Sequence, residues 1–203
     1  MLHNEFESFE KDEIRELLAA LHKSSEDLFN LLQNLLNWSM TQRKTLILSP
    51  EPIQINDAIK EVFQWFSAQA MQKAISLINS SKDDLLIEID KESLYVILRN
   101  LVSNAIKFTP AGGEVSIRTT ESDDAITITV ADSGVGIPAE KINKLFRLDE
   151  KIQTSGTANE RGTGLGLVLC YEFVRANGGT ISVSSQPGMG TTFTINIPKK
   201  IST

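Results

Sequence analysis

The first 45 or so residues contain neither glycine nor proline, whereas the rest of the chain contains both repeatedly. Apolar side chains return there at seven-residue spacing, and neighbouring ones widen the stripe: Ile14, Leu17, Leu21, Leu28, Leu31, Leu35 and Trp38. This pattern predicts a long amphipathic helix. Because a single helix cannot hide so broad a stripe, we expect a bundle formed with a second subunit. A core helix of one globular domain is the alternative.

Ser49, Pro50 and Pro52 end this helix, since proline cannot continue a helical hydrogen-bond ladder. The sequence therefore divides into four predicted segments. They are a bundle helix over 1–45, a linker with a first strand over 46–55, a folded domain over 56–198 and a tail over 199–203.

The domain mixes helical and strand patterns. Helices are predicted over 57–71, from the capping residue Asp90 to Phe108, over 139–146 and over 165–176. Strands are predicted over 75–78, 85–89, 115–119, 126–130, 180–184 and 191–197, the last two as a hairpin. These elements predict an α+β fold, with an antiparallel or mixed sheet covered by helices on one face. The polar residues 147–161 are predicted to form a long loop.

Composition limits the class of partner and the setting. A single cysteine cannot form an internal disulfide, so a reducing, cytoplasmic setting is expected. Cys170 itself is expected to be buried, and Trp38 and Trp65 to be packing residues. Twenty-six acidic residues against 20 basic ones argue against nucleic acid as a partner. No apolar run approaches the roughly 18 residues needed to span a bilayer, so membrane attachment is expected only through regions absent from this chain.

Three polar clusters could carry chemistry, and the first lies on the helix predicted to end at Phe108. Its apolar side is predicted to be buried: Leu94, Ile97, Leu98, Leu101, Ala105 and Phe108. Asn100, Asn104 and Lys107 fall at i, i+4 and i+7 and form a second stripe. Asparagine is unfavourable inside helices. An amide oxygen can ligate Mg²⁺ and an ammonium can meet a phosphate, but two surface or core-bridging asparagines are an equally simple explanation of this helix alone.

The second cluster covers residues 132–138 and follows an alternating strand. The Asp132 carboxylate could accept a hydrogen bond from the exocyclic amine of a purine. Gly134 and Gly136 would let the backbone approach a flat ligand closely. A tight turn with a capping aspartate is the alternative.

The third cluster places Gly162, Gly164 and Gly166 directly before an apolar helix. Backbone N–H groups at such a helix start can bind an anion. Leu167 stands where a dinucleotide fingerprint needs its third glycine, and no lysine follows as a P-loop requires. The cluster therefore predicts a phosphate site of another type.

Taken together, these clusters resemble the motifs of one family. Residues 100–110 resemble the asparagine box, 132–138 the first glycine box, 145–147 the phenylalanine box and 162–167 the second glycine box of the catalytic ATP-binding domain of bacterial sensor histidine kinases. That family belongs to a wider group with gyrase, mismatch-repair ATPases and heat-shock chaperones, the GHKL or Bergerat-type ATPases. The resemblance covers roughly residues 20 to 198, and it implies a two-layer sandwich of a mixed sheet and helices.

The resemblance implies ATP and Mg²⁺ as ligands. It implies that Asn104 coordinates the Mg²⁺ that bridges the ATP phosphates, that Asn100 and Lys107 act on the phosphates as the catalytic pair, and that Asp132 binds the adenine amino group. Phe108, Gly134, Gly136 and Ile137 are implied on the adenine side. Phe146 is implied to position a lid over 147–161. The phosphates are implied to meet Arg161, Gly162, Thr163, Gly164, Leu165 and Gly166.

Asn100 bears on the type of reaction. Hydrolytic relatives carry a glutamate one helical turn before the metal asparagine, and a neutral amide cannot replace it as a base for water. The resemblance therefore implies a protein-histidine kinase, which passes the γ-phosphate of ATP to a histidine and then to an aspartate on a response regulator receiver domain. A GHKL-type ATP hydrolase and a non-catalytic ATP-sensing or dimerisation module are the alternatives.

The acceptor motif of the family is missing. Only His3 and His22 are present, and neither has the expected flanking residues. The resemblance implies that residues 1–45 are part of the dimerisation and histidine-phosphotransfer bundle without its acceptor helix. We therefore expect a homodimer through this helix, an acceptor histidine outside this chain, and no autophosphorylation by this chain alone. A degenerate kinase is the other explanation.

Overall fold

The computed structural model describes residues 14, 17, 18, 21 and 25, and then 48–82, 85–147, 156–158, 160 and 164–199. The five N-terminal ones are helical, and Leu17, Leu18 and Leu21 expose apolar side chains. Within these ranges, no helix is both long and apolar enough to cross a membrane. Several residues named above lie outside the described ones: His3, His22, Trp38, Arg161, Gly162 and Thr163. The division of the chain at residues 45 and 55 stays a prediction.

The domain alternates short strands and helices. Its elements are β1 (Pro50–Gln54), α1 (Ile55–Gln72), β2 (Ser76–Ser80), β3 (Leu86–Asp90), α2 (Lys91–Phe108), β4 (Glu114–Glu121), β5 (Ala125–Asp132), α3 (Ala139–Ile142), α4 (Gly166–Ala176), β6 (Thr180–Ser185) and β7 (Thr191–Pro198). Each helix and strand predicted between residues 57 and 197 is present within a few residues. The helix predicted over 139–146 was too long, because residues after Ile142 form tighter turns in which N–H groups bond three residues back, as Leu145 does to Ile142.

Five strands form one mixed sheet in the order β2-β4-β5-β7-β6. The β2–β4 pair is parallel and the other pairs are antiparallel. β1 and β3 form a separate antiparallel pair. The predicted α+β fold with a mixed sheet is confirmed.

The helices cover one face of this sheet, where alternate strand residues are buried. Ile117, Ile128 and Ile195 belong to this apolar layer, while Arg118 and other alternate residues point to the opposite, more exposed face. Cys170 on α4 is fully buried, as predicted. Phe108 was expected in the core but is only half-buried. It is the last residue of α2, where a loop rather than the sheet lies against the helix.

Asp90 begins α2 as predicted. Its Oδ1 accepts hydrogen bonds from the backbone N–H of Ser93 at 2.8 Å and from the Ser93 hydroxyl at 2.7 Å. Leu94, Ile97 and the other apolar residues of α2 then face the core. This orientation leaves the stripe of Asn100, Asn104 and Lys107 on a half-buried side of the helix.

Candidate functional site

The polar stripe on α2 holds one fixed amide and one free amide. The Nδ2 of Asn100 donates a 2.7 Å hydrogen bond to the carbonyl oxygen of Val96, one turn earlier. This bond fixes the amide plane and directs its oxygen away from the helix. Within the described part of the chain, the Asn104 side chain makes no hydrogen bond. A half-buried amide without a protein partner is available to a ligand or to a metal ion.

The second glycine cluster lies against this stripe. A methyl group on Gly166 would stand 2.6 Å from Oδ1 of Asn100, so a larger residue there would have to displace this amide. Leu165 occupies the N-cap position and offers no side-chain cap. The first N–H groups of α4 therefore receive no hydrogen bond from the N-cap side chain, and a helix start of this kind beside Asn100 suits an anion.

The first glycine cluster lies at the C-terminal end of the same helix. The N–H of Val135 donates to the carbonyl oxygen of Phe108 at 3.1 Å. A methyl group on Gly134 would stand 2.6 Å from that oxygen. The structure thus brings all three sequence clusters onto α2, one at its last residue and another at Asn100.

Asp132 is the last residue of β5, and only one of its two carboxylate oxygens accepts hydrogen bonds from the described residues. Its Oδ1 accepts hydrogen bonds from the backbone N–H groups of Gly134, at 2.9 Å, and of Thr191, at 3.1 Å. Among the described residues, Oδ2 accepts none. Burial raises the pKa of this carboxyl above its usual value, although the two backbone hydrogen bonds act in the opposite direction. A half-buried carboxylate with one open oxygen can accept a hydrogen bond from a ligand amine.

The β6–β7 hairpin supports the loop after Asp132. The Ser185 hydroxyl accepts from the N–H of Ile137 at 2.8 Å and donates to the carbonyl of Gly190 at 2.7 Å. Gly136 has φ of +71°, and a methyl group there would overlap the carbonyl oxygen of Gln186. Gly136 and Ile137 therefore owe their positions to this hairpin.

Sequence reasoning missed Ser185 and Thr191. Their contacts are to backbone N–H groups of distant residues, which leave no signature in residue type. The predicted hairpin was the only available signal for them.

Phe146 contacts the helix that begins at the second glycine cluster. Its half-buried ring stacks on Tyr171 of α4, with ring centroids 5.7 Å apart and an angle of 30° between the planes. This contact joins the segment after α3 to α4. Tyr171 was also missed, because nothing in the sequence distinguishes it from other residues of an apolar helix.

Lys107 is enclosed on two sides. Its ammonium lies 4.8 Å from the centroid of the Phe108 ring, and a methyl group on Gly156 would stand 2.6 Å from its Cγ. Burial lowers the pKa of the Lys107 ammonium, although the Glu160 carboxylate acts to raise it. A desolvated ammonium of this kind gains from a nearby anion.

The donor set fits a metal ion delivered by a ligand better than a resident one. Across the described ranges, no group of three histidine, cysteine, aspartate or glutamate side chains could hold a metal ion. Asn104 offers one neutral amide oxygen. Mg²⁺ prefers oxygen ligands and commonly binds with phosphates and water, so this site suits a magnesium–phosphate complex.

One protein family and several sensor kinases are similar to this chain in sequence. The family model described as histidine kinase-, DNA gyrase B-, and HSP90-like ATPase matches residues 89–201. Sensor histidine kinase WalK of Bacillus subtilis is 33% identical over 192 residues, which cover 94% of this chain and 31% of WalK. Sensor protein EvgS of Escherichia coli K12 is 33% identical over 199 residues, which cover 95% of this chain and 16% of EvgS. The chain thus spans less than a third of the length of either relative.

Solved structures share the fold. The nucleotide-free catalytic domain of histidine kinase ThkA is 29% identical, with a TM-score of 0.65, over 75% of this chain and 97% of that domain. Full-length ShkA in complex with AMPPNP is 27% identical, with a TM-score of 0.78, over 93% of this chain and 39% of ShkA.

Proposed function

This chain belongs to the histidine kinase-, DNA gyrase B- and HSP90-like ATPase family, and from that premise we propose that it is the ATP-binding catalytic region of a sensor histidine kinase. One observation carries the proposal. The loop after Asp132 and the start of α4 both pack onto α2, beside Phe108 and Asn100. An acceptor for a purine amine and a site for phosphates therefore share one helix.

On the adenine side, Oδ2 of Asp132 accepts a hydrogen bond from the adenine amino group. The Gly134 and Gly136 backbone forms the base of the pocket, and Phe108 and Ile137 supply apolar contacts. Because Thr191 and Gly134 already orient the carboxylate, little side-chain freedom is lost when the base binds.

On the phosphate side, Lys107 and the first N–H groups of α4 neutralise charge. The backbone of Gly164 and Gly166 and the side chain of Asn100 line the same region. Asn104 would hold Mg²⁺, which neutralises phosphate charge when it is bound with ATP. We propose that the phosphates also meet Arg161, Gly162 and Thr163.

The reaction is proposed to be transfer rather than hydrolysis. The Asn100 amide is neutral and its nitrogen is engaged with Val96, so it cannot take a proton from water. The site can still position the substrates and neutralise phosphate charge, and phosphoryl transfer depends mainly on these two effects. The γ-phosphoryl group passes to a histidine nitrogen that neither His3 nor His22 supplies, and ADP leaves. A receiver-domain aspartate of a response regulator then takes the phosphoryl group.

The cellular context is part of the same proposal. We infer a homodimer through the N-terminal bundle helix, where Leu17, Leu18 and Leu21 are exposed and need a partner. We also infer a cytoplasmic position, where ATP and the response regulator are available, with any membrane attachment made by other segments.

Calorimetry with Mg²⁺ alone, ATP alone and both together tests the binding site. We expect weak metal binding without ATP and clearly tighter ATP binding with Mg²⁺. Asn104→Ala should remove the Mg²⁺ effect, while Asn143→Ala, at an exposed asparagine, should not. Tight Mg²⁺ binding to the free protein would contradict this assignment.

The reaction is tested by adding an acceptor-helix fragment that carries the histidine motif of the family, together with labelled ATP. Label on the fragment supports the kinase. Steady phosphate release without the fragment supports a hydrolase instead. ATP binding with neither product supports a non-catalytic module.

A further inference from the structure

Lys73 is the C-cap residue directly after α1, and its ammonium is fully hydrogen-bonded. Its Nζ donates to the carbonyl oxygen of Ile106 at 2.7 Å and to that of Lys107 at 3.2 Å, both in the last turn of α2. It also donates to Oγ1 of Thr157 at 2.7 Å and to Oε1 of Glu160 at 3.0 Å. An ammonium has three N–H donors, so these four acceptors use them all.

The Lys73–Glu160 ion pair is more buried than the Lys60–Asp57 pair on α1. The side chains of Lys73 and Glu160 are 11% and 20% exposed. Lys60 and Asp57, 3.7 Å apart on the surface of α1, are 61% and 75% exposed. Solvent and salt screen an exposed pair strongly and a buried pair much less, so the Lys73–Glu160 pair can hold structure in place.

The described residues around this pair are Gly156, Thr157, Ala158 and Glu160, and Thr157 also bonds to the C-terminal end of α2 directly, since its hydroxyl donates to the carbonyl oxygen of Thr109 at 2.9 Å. Oε2 of Glu160 accepts from the N–H of Ala158 at 2.8 Å, and the N–H of Gly156 donates to the carbonyl of Glu160 at 2.9 Å. The N–H of Thr157 donates to the carbonyl of Lys107 at 3.0 Å. Lys73 thus joins this segment to the C-terminal end of α2, where a cation is also favoured by the helix dipole.

The segment forms one wall around the Lys107 stem. A methyl group on Gly156 would lie 2.6 Å from Cγ of Lys107 and 2.8 Å from its carbonyl oxygen. The backbone of Gly156 therefore packs directly against the lysine proposed to meet the phosphates. Without that wall the Lys107 side chain would adopt more rotamers and would be hydrated by solvent.

We propose that Lys73 and Glu160 form a latch that positions Lys107 for the phosphates of the nucleotide. Lys73 acts here as a positioning residue, because its own ammonium is engaged with protein acceptors. This inference rests on the proposed function, since it assumes that Lys107 meets a phosphate.

The test compares ATP affinity and amide hydrogen exchange in variants of the full chain. Lys73→Met should weaken ATP binding about tenfold, since a partly buried charged hydrogen-bond network is lost. It should also speed exchange at Gly156 and Thr157. Lys73→Arg should recover part of both effects. Lys60→Met is the matched control and should change neither.

A double variant separates positioning from general destabilisation. In a Lys107→Met background, Lys73→Met should cause no further loss of ATP affinity. An equal additional loss there, or wild-type ATP affinity in Lys73→Met, would overturn the proposal. If the wild-type chain bound no ATP, the proposed function would fail, while accelerated exchange in Lys73→Met would still show that Lys73 holds Gly156 and Thr157 in place.

Discussion

The backbone N–H of Thr191 donates a 3.1 Å hydrogen bond to Oδ1 of Asp132, although the two residues lie 59 positions apart. They face each other in the register of β5 and β7. Gly134 donates to the same oxygen. Both backbone donors therefore hold one oxygen of the carboxylate, and the other accepts no hydrogen bond from the described residues.

Asp132→Asn should separate stability from binding. An asparagine oxygen can still accept from Thr191 and Gly134, and the cost of a buried charge is removed, so the free energy of unfolding at neutral pH should not fall. ATP affinity should drop about tenfold or more, since the new amide places a donor opposite the adenine amine. Denaturant titration and calorimetry measure the two quantities. Asp124→Asn, at an exposed turn, is the control, and unchanged ATP affinity in Asp132→Asn would refute the assignment.

The same carboxyl should impose a pH dependence. Burial raises its pKa in the folded state, with the backbone hydrogen bonds opposing, so the pKa lies above that of the unfolded chain. Its contribution to stability is full below the unfolded pKa and is lost as the pH rises through the folded pKa. The free energy of unfolding of the wild type minus that of Asp132→Asn should therefore decrease as the pH rises above the ordinary aspartate pKa of about 4. A difference that is constant or increases over this range would show that the pKa is not raised.

Gly190 and Gly188 offer a matched pair in one hairpin. Both have positive φ, +83° and +78°, so an alanine at either costs about 1–2 kcal/mol of backbone strain. Only at Gly190 would the new methyl overlap another group, the carbonyl oxygen of Asp132, whereas nothing lies within 4 Å at Gly188. Gly190→Ala should thus lose about 1–3 kcal/mol more in the free energy of unfolding. Equal losses in the free energy of unfolding for Gly190→Ala and Gly188→Ala would mean that the hairpin does not pack closely against Asp132.

Gly166→Ala should act through Asn100. The new methyl would stand 2.6 Å from Oδ1 of Asn100, whose amide is held by Val96. ATP affinity should fall about tenfold as the amide is displaced. In an Asn100→Ala background the methyl has room, so Gly166→Ala should have little further effect on the free energy of unfolding or on ATP affinity. Additive effects in this cycle would show that the two residues do not touch.

The local elements of this fold follow from the sequence. The alternation of Ile126, Ile128 and Val130 is a period-two signal that needs no knowledge of the partner strand. The start of α2 at Asp90 depends on a side chain capping its own helix. The end of α3 at Ile142 was missed because the balance between an α-helix and tighter turns there leaves no clear signal in the sequence.

Long-range relationships could not be predicted in the same way. The parallel pairing of β2 with β4 and the contact of Ser185 with Ile137 depend on which segments meet after folding. The motifs identified Asn104, Lys107 and Asp132 as candidates by resemblance, but Lys73 belongs to no motif. Its role depends on acceptors 33 to 87 positions away.

A crystal structure with Mg²⁺ and AMPPNP would show directly whether one nucleotide site lies along α2. The adenine amino group should lie within hydrogen-bonding distance of Oδ2 of Asp132, and the phosphates should run from Asn104 to the N–H groups at Gly166. Nucleotide bound elsewhere, or bound with Asp132 and Asn104 facing separate regions of the surface, would contradict this prediction.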